Sequence, residues 1–185
     1  SSRSVSAGTA IPTISSETLS EKIRQIQSNT GNTHSLALIS TDVENFHFIN
    51  DKYGYSLGNE ILNMVYEEIA GAPFTIFTRF FSDVFISIAD ISDLTNDAFL
   101  SEIQALDRKI CKRMRNTFHV NFFRTNSGIC LVPDADTTPE TILSCANVAR
   151  RLSKKMLSPC CIYSDEIDRQ EKMQAEILHS FHQAL

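Results

Sequence analysis

Two aspartates stand where chemistry needs rigidly held carboxylates. Asp42 directly follows residues 35–41 (SLALIST), an apolar run rich enough to be a fully buried central strand. Its carboxylate therefore sits at the carboxyl end of a strand, at the mouth of a sheet, where it can hold a hard divalent cation beside a phosphate-bearing ligand. Asp83 lies between two β-rich runs, residues 74–80 and 84–89, and belongs to the turn that must join them. Each group also has a plainer reading. Asp42 can cap the helix expected over residues 45–51, Asp83 can be a turn residue, and Asn50 can end a helix. Lys154, with Arg150, Arg151 and Lys155, can be part of a solvated basic face. On residue types alone both readings stay open.

The rest of the pattern supplies the elements that hold these groups. Residues 1–16, rich in Ser, Thr, Ala and Gly, predict a flexible leader. Ser16, Glu17 and Thr18 then cap a helix with Leu19, Ile23 and Ile26 on one face, stopped by a turn around Gly31. After Asp42 comes a helical stretch broken at Gly54 and Gly58, then an amphipathic helix over 59–70 carrying Ile61, Val65 and Ile69. A further helix over 96–115 presents Phe99, Ile103, Leu106, Ile110 and Met114. Residues 118–123 and 127–132 read as a strand or strand pair. Pro139 opens a helix through Lys155, residues 160–163 form a short strand, and 165–185 form a terminal helix. No internal repeat is evident. The fold class is α/β or α+β, a sheet with helices layered over it.

At 185 residues and 42% hydrophobic content the chain can bury one ordinary core, which predicts a single domain with appendages. A net charge of -5 and a pI near 5.5 argue against broad electrostatic binding to nucleic acid or anionic lipid, which needs a clustered basic face. A local site for a small anion is still compatible with that charge. The five cysteines, Cys111, Cys130, Cys145, Cys160 and Cys161, are odd in number and lack C-x-x-C spacing. They read as reduced, mostly buried thiols of a cytosolic domain. No stretch approaches the roughly 18 apolar residues that span a bilayer, and no signal-peptide pattern opens the chain. The expectation is a cytoplasmic domain, free or as the cytoplasmic part of a membrane-anchored protein, with no membrane contact of its own.

Residues 40–59, STDVENFHFINDKYGYSLGN, and residues 79–85, RFFSDVF, together resemble the two signature blocks of the GGDEF family. These are diguanylate cyclase domains, which make cyclic di-GMP from two GTP molecules. Asp42, Glu44, Phe46, His47, Asn50 and Asp51 occupy the places of the family pattern Asp-x-Asp-x-Phe-Lys-x-x-Asn-Asp. The resemblance covers residues 36–185 and implies a nucleotidyl-cyclase palm, a central mixed and largely antiparallel sheet surrounded by helices. It also implies a magnesium site made by Asp42, the backbone carbonyl of Val43, and Asp83. By the same resemblance Asn50 and Asn59 meet the guanine base of GTP. Residues 145–155, CANVARRLSKK, resemble the late helix of the family, in which Lys154 reaches the phosphates.

The chain departs from the pattern at the residues that matter most to the reaction. Where the family has Gly-Gly-Asp-Glu-Phe, this chain has Phe81, Ser82, Asp83, Val84 and Phe85. The two glycines allow unusual backbone angles and leave room for nucleotide, and a bulky residue forced to positive φ costs roughly 1 to 2 kcal/mol. The turn must then rearrange or place Phe81 where a nucleotide would lie. Val84 cannot ligate magnesium, and a lost ligand worth about 4 kcal/mol in the transition state lowers a rate near a thousandfold. Asn59 replaces an Asp that accepts both guanine N1 and N2 protons; an amide offers one acceptor and a mismatched donor, at a cost of about 1 to 3 kcal/mol. His47 stands for the usual Lys and gives up its permanent charge. The family's Arg-x-x-Asp product-inhibition motif would need its residues at Ala72 and Thr75 and is absent.

Residues 161–185, CIYSDEIDRQEKMQAEILHSFHQAL, look like the junction of composite GGDEF-EAL proteins, in which a charged helix leads into an EAL phosphodiesterase domain. The plainer reading is a docking helix packed through Ile177, Leu178, Phe181 and Leu185. The resemblance thus predicts a leader over 1–16, a degenerate GGDEF domain over 17–164 and a linker helix over 165–185. Its expected role is a catalytically weak or inactive module, regulatory or GTP-sensing, for an adjacent phosphodiesterase domain or partner. Two alternatives stand beside it: an active diguanylate cyclase using Asp42 and Asp83, and a structural domain that forms a homodimer or binds a partner.

Overall fold

The computed structural model describes residues 15–30, 35–73, 75–81, 83–132 and 137–184, without the side chains of 16, 29, 30 and 75–81. Residues 1–14 of the expected leader, the expected turn around Gly31, Ser82 and Leu185 lie outside the described residues, as does the side chain of Phe81.

Strand β1 (Leu36–Val43) takes the centre of the sheet because both of its faces are apolar. Leu36 and Leu38 face α1 (Ser16–Thr30) and α5 (Pro139–Lys155), where they meet Leu19, Ile23 and Ile142. Ala37 and Ile39 face α4 (Asn96–Phe118) through Phe99 and Ile103. Val43 meets Phe46 of α2 (Phe46–Tyr53), Ile61 and Val65 of α3 (Tyr55–Gly71), and Ile110. Each such fully buried aliphatic contributes about 1.5 to 3 kcal/mol of burial, which fixes the register of β1.

The hairpin β2 (Thr75–Phe81) and β3 (Val84–Asp90), strand β4 (Thr125–Leu131) and strand β5 (Cys160–Ile162) complete a five-stranded sheet of order β2-β3-β1-β4-β5. Every pairing is antiparallel except that of β4 with β5. The expected α+β palm, a mixed and largely antiparallel sheet surrounded by helices, is the observed architecture. A final helix, α6 (Asp165–Gln183), has no buried residue among those described.

Several boundaries differ from the sequence-based expectation for physical reasons. The cap of α1 is Ser15, whose hydroxyl accepts from the Thr18 amide at 3.2 Å, one residue ahead of the expected start. Only Gly54 breaks the helical stretch after β1, with φ 88° and ψ 159°; α3 begins at Tyr55, so Gly58 lies inside a helix and is buried. Residues 118–123 form no strand. Helix α4 runs on to Phe118 and stops at His119, which adopts a left-handed conformation (φ 56°). Val120 and Phe123 then enter the core beneath α3 and α4. All five cysteines are unpaired, and burial pushes the Cys130 thiol up to about 12.

Helices α3 and α4 are clasped by Glu68, whose side chain is almost fully buried and bridges Lys109 at 2.7 Å and Arg113 at 2.8 Å. The hydrogen bond from Lys109 is the main reason its carboxyl lies below the ordinary Glu value; burial opposes this and Arg113 reinforces it. A lowered carboxylate pKa contributes stability that is present above the unfolded value and lost as pH falls through the folded one. Both cationic partners are partly exposed, so the pair is worth about 1 kcal/mol after solvent screening. Glu68→Gln is expected to lose that amount at pH 7, in denaturant titrations, with the difference from the unmodified chain vanishing as pH drops below the carboxylate range. An equal loss at every pH would show that packing, not charge, sets the role of Glu68.

Candidate functional site

Asp42 does not cap a helix. The residue preceding α2 is Asn45, in a left-handed conformation with no side-chain cap, so Asp42 is free for another role at the end of β1. In the register of the sheet Asp42 lies opposite Val84 of β3 on one side and Asn126 of β4 on the other. Directly paired residues of antiparallel strands point to the same face. The row Val84–Asp42–Asn126 therefore lies on the face covered by α5.

The hairpin turn is pinned to this row. Phe81 pairs with Val84, leaving a two-residue connection, and the Val43 amide donates to the Asp83 carbonyl at 3.3 Å. That bond brings Asp83 beside the end of β1, and the charges of the two aspartates act on each other. Burial holds the Asp42 carboxyl above its ordinary value. Arg150 opposes this, Asp83 adds to it, and Lys154 and a hydrogen bond with Asn126 oppose it in turn. The Oδ1 atom of Asp42 is buried without a hydrogen-bond partner among the described residues.

Helix α5 reaches the row because of Gly128. A Cβ on that residue would stand 2.0 Å from the Ala146 carbonyl oxygen and 2.1 Å from the Arg150 amide nitrogen. The helix backbone thus rests on the strand itself. One turn further along, Ser153 is buried with its hydroxyl donating to the Arg150 carbonyl at 2.8 Å, and Lys154 is exposed within electrostatic reach of Asp42. Just beyond the helix, the chain reverses at Leu157 (φ 54°), where the Ser158 amide donates to the Ser153 carbonyl at 3.0 Å.

Arg150 corrects the expectation of a solvated basic face. It is only partly exposed, its Nη1 is buried without a hydrogen-bond partner among the described residues, and the charges that act on it most strongly are Asp42 and Asp83. Burial lowers its pKa against the pull of those two carboxylates. Asn126 was equally invisible in the sequence. It is fully buried, with Nδ2 donating to Glu44 Oε2 at 3.5 Å and Oδ1 unpartnered. The only signal for either residue is long-range register.

Asn50 and Asn59 form a second group. Asn50 lies on α2 with its Oδ1 packed on the α-carbon of Gly58, so closely that a Cβ there would meet it at 1.9 Å. The same oxygen is buried without a hydrogen-bond partner among the described residues. Asn59 follows Gly58 in α3 and is exposed. The absence of a side chain at Gly58 is what lets Asn50 pack against α3 there.

A magnesium ion at the first group would find two acids. Among the described residues no set of three or more His, Cys, Asp or Glu side chains could share an ion. The position facing Asp42 across the ladder is the apolar Val84, which packs toward Ile86 and Leu38. A guanidinium already acts on both acids. Magnesium held by one or two carboxylates is drawn by their negative charge, and a neighbouring guanidinium repels it. The residues present do not fit the ion.

Comparison with known proteins agrees with this fold. The family model for the diguanylate cyclase GGDEF domain matches residues 15–156. The bifunctional diguanylate cyclase/cyclic di-GMP phosphodiesterase MucR of Pseudomonas aeruginosa is 25% identical over 172 residues, covering 90% of this chain and 25% of MucR. The chain thus spans about a quarter of the length of that relative. Among solved structures, the active GGEEF domain of a diguanylate cyclase from Vibrio cholerae superposes with a TM-score of 0.69 at 18% identity, covering 82% of this chain and 97% of that one. The GGDEF domain of YfiN from Pseudomonas aeruginosa gives 0.68 at 17% identity, covering 90% and 98%. The GGDEF domain of DgcB from Caulobacter crescentus, in complex with c-di-GMP, gives 0.62 at 15% identity, covering 81% and 87%. At such identities the structural likenesses establish the fold alone. With the palm, the strand-end aspartate and a family match over most of its length, this chain belongs to the GGDEF domain family of cyclic di-GMP signalling.

Proposed function

We propose that this GGDEF domain is degenerate, does not make cyclic di-GMP at a useful rate, and serves as a GTP-sensing regulatory module for an adjacent phosphodiesterase domain. The observation that carries this reading is Val84 opposite Asp42, an apolar side chain where the reaction needs a second acid. Asp42, the Val43 carbonyl and Asp83 are then the remnant of a metal position. Asn50, packed on Gly58, and the exposed Asn59 that follows it are left for a guanine base, and the exposed Lys154 for phosphate.

Helix α6 supports the reading of residues 165–185 as a linker toward a partner domain. Its first turns are tied to α5, with Glu171 bridging Arg151 at 3.4 Å and Lys155 at 3.8 Å. Beyond them Met173, Ile177, Leu178 and Phe181 are all more than half exposed, Phe181 at 66%. An exposed apolar stripe at helical spacing suits docking of a neighbouring domain, and the relative MucR is described as bifunctional, cyclase and phosphodiesterase.

A GTP titration followed by calorimetry tests the sensing role. The unmodified chain is expected to bind GTP weakly, and Asn50→Ala to weaken binding about tenfold, the loss of one buried hydrogen bond to a base. No binding by the unmodified chain would move the function to the second reading, an interaction domain working through α6.

A further inference from the structure

We propose that the Arg150 guanidinium takes the place of the divalent cation beside Asp42 and Asp83, as a counter-ion built into the chain. The inference deepens the reading of a site that has lost its cyclase chemistry, and rests on that reading only for the identity of the ion displaced.

Placement comes first. The missing side chain at Gly128 lets α5 settle on β4 until the Arg150 backbone touches the strand two residues from Asn126, the register partner of Asp42. From there the Arg150 side chain reaches the face that carries Asp42, and its Nη1 is buried. Arg150 Nη1 and Asp42 Oδ1 are both buried without a hydrogen-bond partner among the described residues, so the guanidinium acts on the carboxylate through space and not through a direct ion pair. Each is the strongest compensation of opposite sign that the other has, although burial still outweighs that attraction for both.

Charge then decides against a metal. The two carboxylates are met by two cations of the chain, Arg150 and the exposed Lys154, both of which act on Asp42. A divalent cation entering this site would stand beside a guanidinium that cannot give up its proton. It would also find an apolar Val84 where another acid would have to share the load. Anything phosphate-bearing that enters the site meets Arg150 and Lys154 directly, with no metal between.

Manganese(II) alone, read by the loss of its free electron paramagnetic resonance signal, tests the inference on the 185-residue chain without any nucleotide. The unmodified chain is expected to show no site in the submillimolar range. Arg150→Leu is expected to create one, tightening manganese binding at least tenfold, and the double variant Arg150→Leu, Asp42→Asn to lose it again. Should the leucine variant fail to fold by circular dichroism, Arg150→Gln keeps a polar side chain and removes the same charge. A manganese site in the unmodified chain that Asp42→Asn abolishes would overturn the proposal. So would a folded Arg150 variant that gains no site. Because the titration holds no GTP, failure of the GTP-sensing reading leaves this result standing, and the reverse.

Discussion

Gly128→Ala is expected to destabilise the domain by about 3 kcal/mol, the upper end of what overpacking an interior costs. The sign is diagnostic, because a glycine replaced in an unstrained strand ordinarily gains stability from a stiffer unfolded chain. Here the added methyl meets the Ala146 carbonyl oxygen at 2.0 Å and the Arg150 nitrogen and α-carbon at 2.1 and 2.7 Å. All three are helix backbone, and none can rotate aside as a side-chain tip would. Helix α5 must lift from β4, opening the cluster that holds Leu38, Cys130, Ile142 and Ala146. A loss of this size is a large share of a typical stability of 5 to 15 kcal/mol. Denaturant unfolding with an unchanged slope and a midpoint within about 0.5 kcal/mol of the unmodified chain would show that α5 rides more loosely than the geometry demands.

Cyclic di-GMP formation from GTP and magnesium is expected to fall at least a thousandfold below an ordinary turnover of about 10 per second. The loss of a metal-binding acid at Val84 alone supplies that factor, and the Arg150 charge beside Asp42 and Asp83 compounds it. Repairing the hairpin with Phe81→Gly, Ser82→Gly and Val84→Glu is expected to leave the chain inactive, since Arg150, Asn59 and His47 still depart from a working site. Chromatography of product over hours is the measurement. Turnover near 1 per second by the unmodified chain would make it an active cyclase with a non-standard signature, the alternative that the sequence also allowed.

What could be read from the sequence was local. Pro139 at the start of α5 and the spacing of Ile142, Ala146, Ala149 and Leu152 place that helix to the residue, because proline at the first turn and a 3.6-residue period are both properties of one segment. The apolar run ending at Asp42 places the central strand for the same reason. Residues 118–123 misled because Phe118, Val120, Phe122 and Phe123 are good strand formers, yet they pay no regard to an α4 that continues one turn longer and closes at a left-handed His119. Gly58 looked like a breaker; its actual role, accommodating Asn50, is set by a residue on another helix. Arg150 is the sharpest case. Four basic residues within six positions resemble a solvated face, and only Gly128, on a different element, draws one of them inward.

The strand order has a consequence during synthesis. β1 needs β3 on one side and β4 on the other, and β4 begins only at Thr125. At about 5 to 20 residues per second, the ribosome takes roughly 4 to 16 s to make the stretch between the end of β1 and the start of β4. Through that interval the central strand of the domain has one edge with nothing to pair with. The Ser40, Thr41 and Asp42 hydroxyls and carboxylate at its end, which interrupt an otherwise aliphatic run, keep that waiting edge from being a fully apolar template for a second nascent chain.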